Sequence, residues 1–248
     1  MLIPRVFPVL LVKNNRLINT IKFQESRYLG DPLNAIRIFN EKNVDELVVF
    51  DISPTCDPPW SLLSKISQVS SMPLTYGGHI HSSYQAEKII SLGFEKVSIS
   101  SAYLNDPSLA RSISESIGAQ SVVITLNVIY SRIRRSYMVF SHVNPNKRFK
   151  LSKVLSELPS DCIGEIVIND CDRDGTRLGY DTQLLSIVSS RVSSALSITG
   201  GCSCISDLIE VNRLAPNVGF GVTSTFVYHG SLDAVLISYD HPFRPTNF

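Results

Sequence analysis

The chain has almost no excess of charge of either sign: 23 Lys and Arg stand against 22 Asp and Glu, a formal net charge of +1. A protein that grips a nucleic-acid backbone carries a basic excess or stripe, so this balance removes the electrostatic case for nucleic acid. Long apolar runs are missing too. The N-terminal one is broken by Pro4, Arg5, Pro8 and Lys13, too soon for a signal peptide or a membrane span, and the expected location is the cytoplasm, away from any membrane. Cysteine is sparse, odd in number and irregularly spaced: Cys56, Cys162, Cys171, Cys202 and Cys204. The one close pair, Cys202-Ser203-Cys204, has no second pair to complete a tetrahedral metal site, so free, reduced thiols are expected, with no metal and no cofactor.

What is present is a recurring alternation. Apolar runs rich in Val and Ile fit buried strands at FPVLLVK (7–13), LVVFDI (47–52), LTYGG (74–78), VSISSA (97–102), VVITLNV (122–128), EIVIND (165–170), LSITGG (196–201) and VGFGVTS (218–224). Their apolarity is continuous rather than alternating, as in parallel sheets covered by helices. Between them DPLNAIRIFNEKN and SSYQAEKIISLG repeat apolar residues every three or four positions, the spacing of amphipathic helices. About eight βα units over 248 residues predict an α/β chain folded as one (β/α)8 TIM barrel. The halves echo one another: Gly77-Gly78 and Gly200-Gly201 keep the same offset as Asp51 and Asp174. Two half-barrel repeats, about 1–120 and 121–248, account for this. A doubly wound open sheet also alternates β and α, but glycine pairs at two symmetric strand ends suit a closed barrel better.

Glycine at a strand's C-terminal end lets backbone N–H groups approach an oxyanion, and a following helix adds partial positive charge. Gly77 and Gly78 with Ser100 and Ser101 predict one phosphate site. Gly200 and Gly201 with Ser224 and Thr225 predict another across the barrel mouth, so the expected ligand is a small molecule phosphorylated at both ends. The segment DCDRDGTRLGYD (170–181) leaves a strand as an acidic loop that contains Asp174 and Gly175. It lacks the late glutamate of a calcium loop.

This segment, with NEKNVDELVVFDI, EKVSISSA and the glycine pairs, resembles the cyclase subunit of imidazole glycerol phosphate synthase over about residues 1–230. The resemblance implies a barrel of duplicated halves whose glutaminase partner, docked in a heterodimer, releases ammonia below it. The ammonia passes up the middle to be consumed at the C-terminal face. Two aspartates do acid/base chemistry in that family; their positions here hold Leu11 and Asn127, and a lysine of the first loop is Asn19. The cyclase (lyase) reaction is therefore expected to be lost. The family's charged gate for ammonia corresponds to Arg5, Glu46, Lys96 and Glu165, all of the retained types, and Asp45, Glu95 and Gln120 fall at its glutaminase-facing surface. Divergent relatives of this kind are associated with surface-polysaccharide synthesis, in which a separate sugar amidotransferase accepts the ammonia. Two rival expectations are a histidine-pathway cyclase that has moved its acid/base work to Asp51 and Asp174, and a non-enzymatic phosphate-binding scaffold.

Three features stay outside that scheme. His79 and His81 follow the glycine pair where the family has a third glycine, without an evident third metal ligand. Arg132, Arg134, Arg135, Lys147, Arg148 and Lys150 surround SYMVFSHV, which reads as a solvated hairpin inserted after the fifth strand. AVLISY (234–239) reads as a strand where the family places its last helix.

Overall fold

The structure, a computed structural model, describes residues 3–144, 146–230 and 232–243. In chain order its strands are β1 Val6–Lys13, β2 Arg16–Ile21, β3 Glu25–Gly30, β4 Leu47–Asp51, β5 Leu74–Gly77, β6 Lys96–Ile99, β7 Val122–Ser131, β8 Ser136–Phe140, β9 Arg148–Lys150, β10 Glu165–Asp170, β11 Ala195–Thr199 and β12 Val218–Val222. Eight of them pair in parallel in the order β10-β11-β12-β1-β4-β5-β6-β7, and β7 pairs with β10 to close the ring. The chain is thus a (β/α)8 barrel, as the run of apolar segments predicts. Both faces of each barrel strand are covered, which is why their sequences show no polar alternation.

Helices fill the outer layer: α1 Pro32–Glu41, α2 Trp60–Val69, α3 Ser83–Ser91, α4 Ser101–Asn105, α5 Ser108–Ile117, α6 Leu151–Ser156, α7 Thr182–Ser189, α8 Ile205–Leu214 and the short α9 Ser224–Val227. Local chemistry starts several of them. Asp31 accepts the Asn34 N–H at 3.0 Å with Pro32 at the first helical position, Ser82 accepts the Gln85 N–H at 3.3 Å, and Asp181 accepts the Leu184 N–H at 3.0 Å; each cap satisfies an orphan donor. Ala35, Ile36 and Phe39 are the buried stripe of α1, part of the large apolar layer between strands and helices. A much smaller apolar cluster, Phe7, Val9 and Val48 with Phe50, lies inside the ring of strands.

Three segments depart from the plain barrel. The loop after β1 folds into the β2–β3 hairpin, which sequence reasoning did not anticipate. SYMVFSHV does form a hairpin, with β8 antiparallel to the extended β7 and β9 beyond it, and its basic turn residues are exposed. The two hairpins meet at the C-terminal mouth, where Phe23 packs 4.8 Å from His142 and 6.4 Å from Phe140.

The expected strand AVLISY is corrected. Only Ala234–Val235 (β14) pair, with Tyr228–His229 (β13), and the rest runs extended down the barrel's outside. Leu236 and Ser238 donate to the Val227 and Phe226 carbonyls at 2.9 Å each, and the Tyr239 hydroxyl donates to the Val6 carbonyl at 3.1 Å. His241 then reaches the N-terminal face, 3.6 Å from Asp45. An unhelical tail occupies the site of a last helix because its apolar residues cover Phe220 and Phe226 directly.

Candidate functional site at the two mouths of the barrel

At the N-terminal mouth the sequence places four ionic side chains just before or at strand starts, and the closed ring of strands forces them together. Arg5 donates to Glu46 at 2.6 Å and to Glu165 at 3.2 Å; Lys96 lies 3.3 Å from Glu46 and 3.0 Å from Glu165. Every cation touches both anions. Ser197 Oγ donates to Glu165 at 2.6 Å, and Thr75 Oγ1 reaches Glu46 at 3.5 Å. Burial alone would raise the Glu165 carboxyl, but Arg5, Lys96 and Ser197 outweigh it and hold Glu165 below the ordinary value. Burial likewise opposes the Arg5 charge, and Glu165 and Glu46 reverse that, raising it. Pairing is what makes four charges tolerable there. Asp45, Glu95 and Gln120 are exposed and sit before β4, β6 and β7 on the same face.

Above the ring lies a cavity of about 10 Å³, lined by Phe7, Val9, Val48, Phe50, Thr75 and Ser98 among others. Such a space holds about one molecule the size of water or ammonia. Glycine makes the room: a side chain at Gly77 would meet the Phe50 ring at 2.7 Å. Ser98 and Thr125, on the adjacent strands β6 and β7, are hydrogen bonded at 2.7 Å, and with Thr75 and Ser98 in its lining the cavity mixes apolar surface with hydroxyls.

The C-terminal mouth is uncharged at its centre. Leu11 pairs with Phe50 of β4 and Ile18 of β2. Buried Asn127 donates to Ser100 Oγ at 3.3 Å and accepts from Asn169 Nδ2 at 3.1 Å. Asn19, also buried, reaches Ser224 Oγ at 3.5 Å and the Tyr228 hydroxyl at 3.3 Å. None of these amides transfers a proton near neutral pH.

The predicted phosphate residues gather as two cradles. Asp174, Gly175, Thr199, Gly200, Gly201, Cys202 and Ser224 line a second cavity of about 10 Å³. It lies after the seventh and eighth barrel strands beside a short extra helix, where TIM barrels commonly hold phosphate. Thr225 stands at its edge and donates to the Cys202 carbonyl at 3.2 Å. Asp174 accepts from Thr20 Oγ1 at 3.0 Å, and burial pushes its carboxyl up to about 6. Gly77 ends β5 with Gly78 directly after it, and Gly77 pairs with Ser98 of β6 two residues before Ser100. Ser101 Oγ accepts the His142 backbone N–H at 3.0 Å, so the β8–β9 hairpin adjoins this cradle.

Two sequence readings shift. Asp51 does not open onto the mouth: its side chain is 1% exposed, packed behind the glycine turn 3.8 Å from His79 Nε2. Its partner in the other half is Asp170, not Asp174. Gly78 lies against the Asp51 carbonyl as Gly200 lies against the Asp170 carbonyl, so the equal sequence offset pairs different places in the barrel.

A match to the model for "Histidine biosynthesis protein" extends over residues 5–233. The chain belongs to that family. It is 38% identical over 247 residues, 98% of this chain and 95% of the relative, to a Vibrio vulnificus (strain YJ016) protein named "Putative imidazole glycerol phosphate synthase subunit hisF3". A Pseudomonas aeruginosa protein of the same printed name but hisF2 is 41% identical over 240 residues, 95% of each chain. "Imidazole glycerol phosphate synthase subunit HisF" of Lactococcus lactis subsp. cremoris (strain SK11) is 32% identical over 215 residues, 85% of this chain and 83% of the relative. The family match stops where the unhelical tail begins.

Within this family fold, sequence reasoning missed Asp170, Asn169 and Tyr76. Asp170 is buried, and burial with the nearby Asp181 and Asp172 pushes its carboxyl up to about 7, with Arg173 opposing. The available signal was its place as the last residue of EIVIND, where strand alternation turns a polar side chain outward beneath the helices.

Proposed function

We propose that the chain is a cyclase-like barrel subunit of a glutamine-dependent amidotransferase complex. It takes ammonia from a glutaminase partner at its N-terminal face and passes it to a further acceptor, without ring-closing chemistry of its own. The observation that carries this is the closed ring of Arg5, Glu46, Lys96 and Glu165 beneath an ammonia-sized cavity. A ring in which each cation has two anionic partners can exchange pairings and open a gap without leaving a bare charge. The neutral Leu11 and Asn127 at the opposite mouth support the loss of cyclisation, since each missing acid or base forfeits about 100- to 10,000-fold. The greater identity to the hisF2- and hisF3-named relatives than to the plain HisF of Lactococcus is in keeping with a divergent branch. A sugar amidotransferase of surface-polysaccharide synthesis is the acceptor we assign, and the two cradles are phosphate sites in this reading.

The test combines two assays on purified protein. With ammonium and the bis-phosphorylated ribulose intermediate of the family reaction, no cyclised product is expected. With its glutaminase partner, the barrel is expected to bind and stimulate glutamine hydrolysis. Robust cyclisation, or no effect on the glutaminase, overturns the proposal.

One observation favours a second reading, a true cyclase with relocated acid/base groups. Asp174 borders the C-terminal cavity with its carboxyl near 6, close to what a general base needs at neutral pH. Under that reading Asp174→Asn abolishes measurable cyclase turnover; under ours there is none to lose.

A further inference from the structure

Three buried polar atoms without hydrogen-bond partners converge behind the first glycine cradle: Asp51 Oδ2, the Tyr76 hydroxyl and His79 Nε2. Orphan polar atoms are rare in folded proteins, and a cluster of them asks for a cause. The Asp51 carboxylate is fixed on its other oxygen, which accepts from the Ser53 N–H at 2.9 Å and Ser53 Oγ at 2.5 Å. Its free oxygen points at His79 Nε2, 3.8 Å away. Tyr76 is fully buried, and burial, the facing Asp51 charge and the approach of its hydroxyl to the Asp51 carboxylate hold its phenol above the ordinary value.

His79 itself is in an unusual place. It has φ of 56°, in the left-handed region where Asn, Asp and His are enriched over other L residues, and it follows directly on Gly78 after the C-terminal end of β5. Backbone strain of this kind clusters at functional sites. Nε2 is sealed inside, while the His79 side chain as a whole keeps 15% of its surface exposed. Gly77 pairs with Ser98, the last pairing of β5 with β6, so the turn that carries His79 and the one that carries Ser100 leave neighbouring strand ends.

We infer that His79, braced from behind by Asp51 and Tyr76, is an anion-binding side chain of the first cradle and presents Nδ1–H to a phosphate monoester. A buried carboxylate facing Nε2 fixes the imidazole's orientation and accepts the Nε2 proton; a phosphate dianion, which accepts hydrogen bonds only, then holds a second proton on Nδ1, so the ligand binds the imidazolium form with both ring nitrogens donating. The cradle then offers a charged donor besides backbone N–H groups, which selects a phosphate dianion over a neutral sugar. This deepens the cradle assignment made under the proposed function and rests on it.

The probe is inorganic phosphate, titrated into the 15N-labelled full chain. The amide signals of Gly78, Ser100 and Ser101 report the first cradle, and those of Gly200, Gly201 and Ser224 the second. In the unaltered protein both sets are expected to move. His79→Gly, which suits the left-handed backbone, is expected to weaken phosphate at the first cradle about 10-fold, the loss typical of one charge-assisted hydrogen bond, and to leave the second unchanged. His79→Asn, which also tolerates this conformation, serves if the glycine variant folds poorly. Asp51→Asn is expected to give a similar loss, and the double variant no more than either alone. Unchanged first-cradle affinity in both His79 variants overturns the inference while leaving the cradles standing. A loss with His79→Gly but none with Asp51→Asn removes the bracing role. Signals that stay still at millimolar phosphate in the unaltered protein overturn the cradle reading itself.

Discussion

At the scale of single residues, Asp170 shows how a carboxyl can work against the fold. Burial and its acidic neighbours raise it to about 7 in the native state, against an unfolded value near 4. A raised native pKa means the native state holds its proton more tightly, so its stability is fully present below about pH 4 and declines as pH rises towards 7. Asp174, near 6, adds to the same slope. Asp170→Asn replaces the protonated form by a neutral isostere. It is expected to stabilise the protein by about 2 kcal/mol at pH 8, to change little at pH 4, and to flatten the slope, as read by urea unfolding at both values. Glu165 runs the other way: held low by Arg5 and Lys96 against burial, it contributes stability above the usual carboxylate range and loses it as pH falls through its native pKa.

At the scale of elements, the C-terminal tail is the part least legible in the sequence. AVLISY reads as a strand, yet a further barrel strand needs a free sheet edge and the closed ring has none. The tail instead buries single side chains, with Tyr239 packed at 4.9 Å on Phe226 and its hydroxyl on the Val6 carbonyl. Tyr239→Phe is expected to cost about 1 kcal/mol, the worth of one hydrogen bond. Tyr239→Ala should cost about 3 to 4 kcal/mol, because a cavity opens beside Phe226 of α9 and the start of β1; thermal unfolding of both variants separates the terms.

The eight barrel strands were legible because both faces are covered, so each reads as an unbroken apolar run. The β2–β3 hairpin was not, because RLINTI mixes apolar with polar residues that are buried together over residues 17–20, and its pairing is decided by what it docks on. Lys22 N–H meets the Asp174 carbonyl at 2.9 Å, and Gly175 nestles against the Thr20 backbone. The ionic ring lay in the sequence as four isolated charges at strand starts, and only closure of the barrel makes them neighbours. His79 stood out only as the residue in place of a third glycine, and nothing in HIHSS announces a histidine facing the carboxylate at the end of the neighbouring strand.

At the scale of the whole molecule, the two mouths are built from separate sets of residues, and under the proposed function they should fail separately. The N-terminal face carries Asp45, Glu95 and Gln120 around the ionic ring, with Asp45 met by His241 of the tail. Exposed residues of this kind contribute little to folding but can matter greatly at an interface. Replacing Asp45, Glu95 and Gln120 together by alanine is expected to leave thermal unfolding within about 2 °C and to weaken stimulation of the glutaminase about 10-fold or more. Leu11→Ala with Asn127→Ala alters only the opposite mouth and should leave that stimulation unchanged. If the C-terminal pair abolished stimulation as thoroughly as the N-terminal triple, the barrel would act as one coupled body. The division between a receiving end and a delivering end would then be wrong.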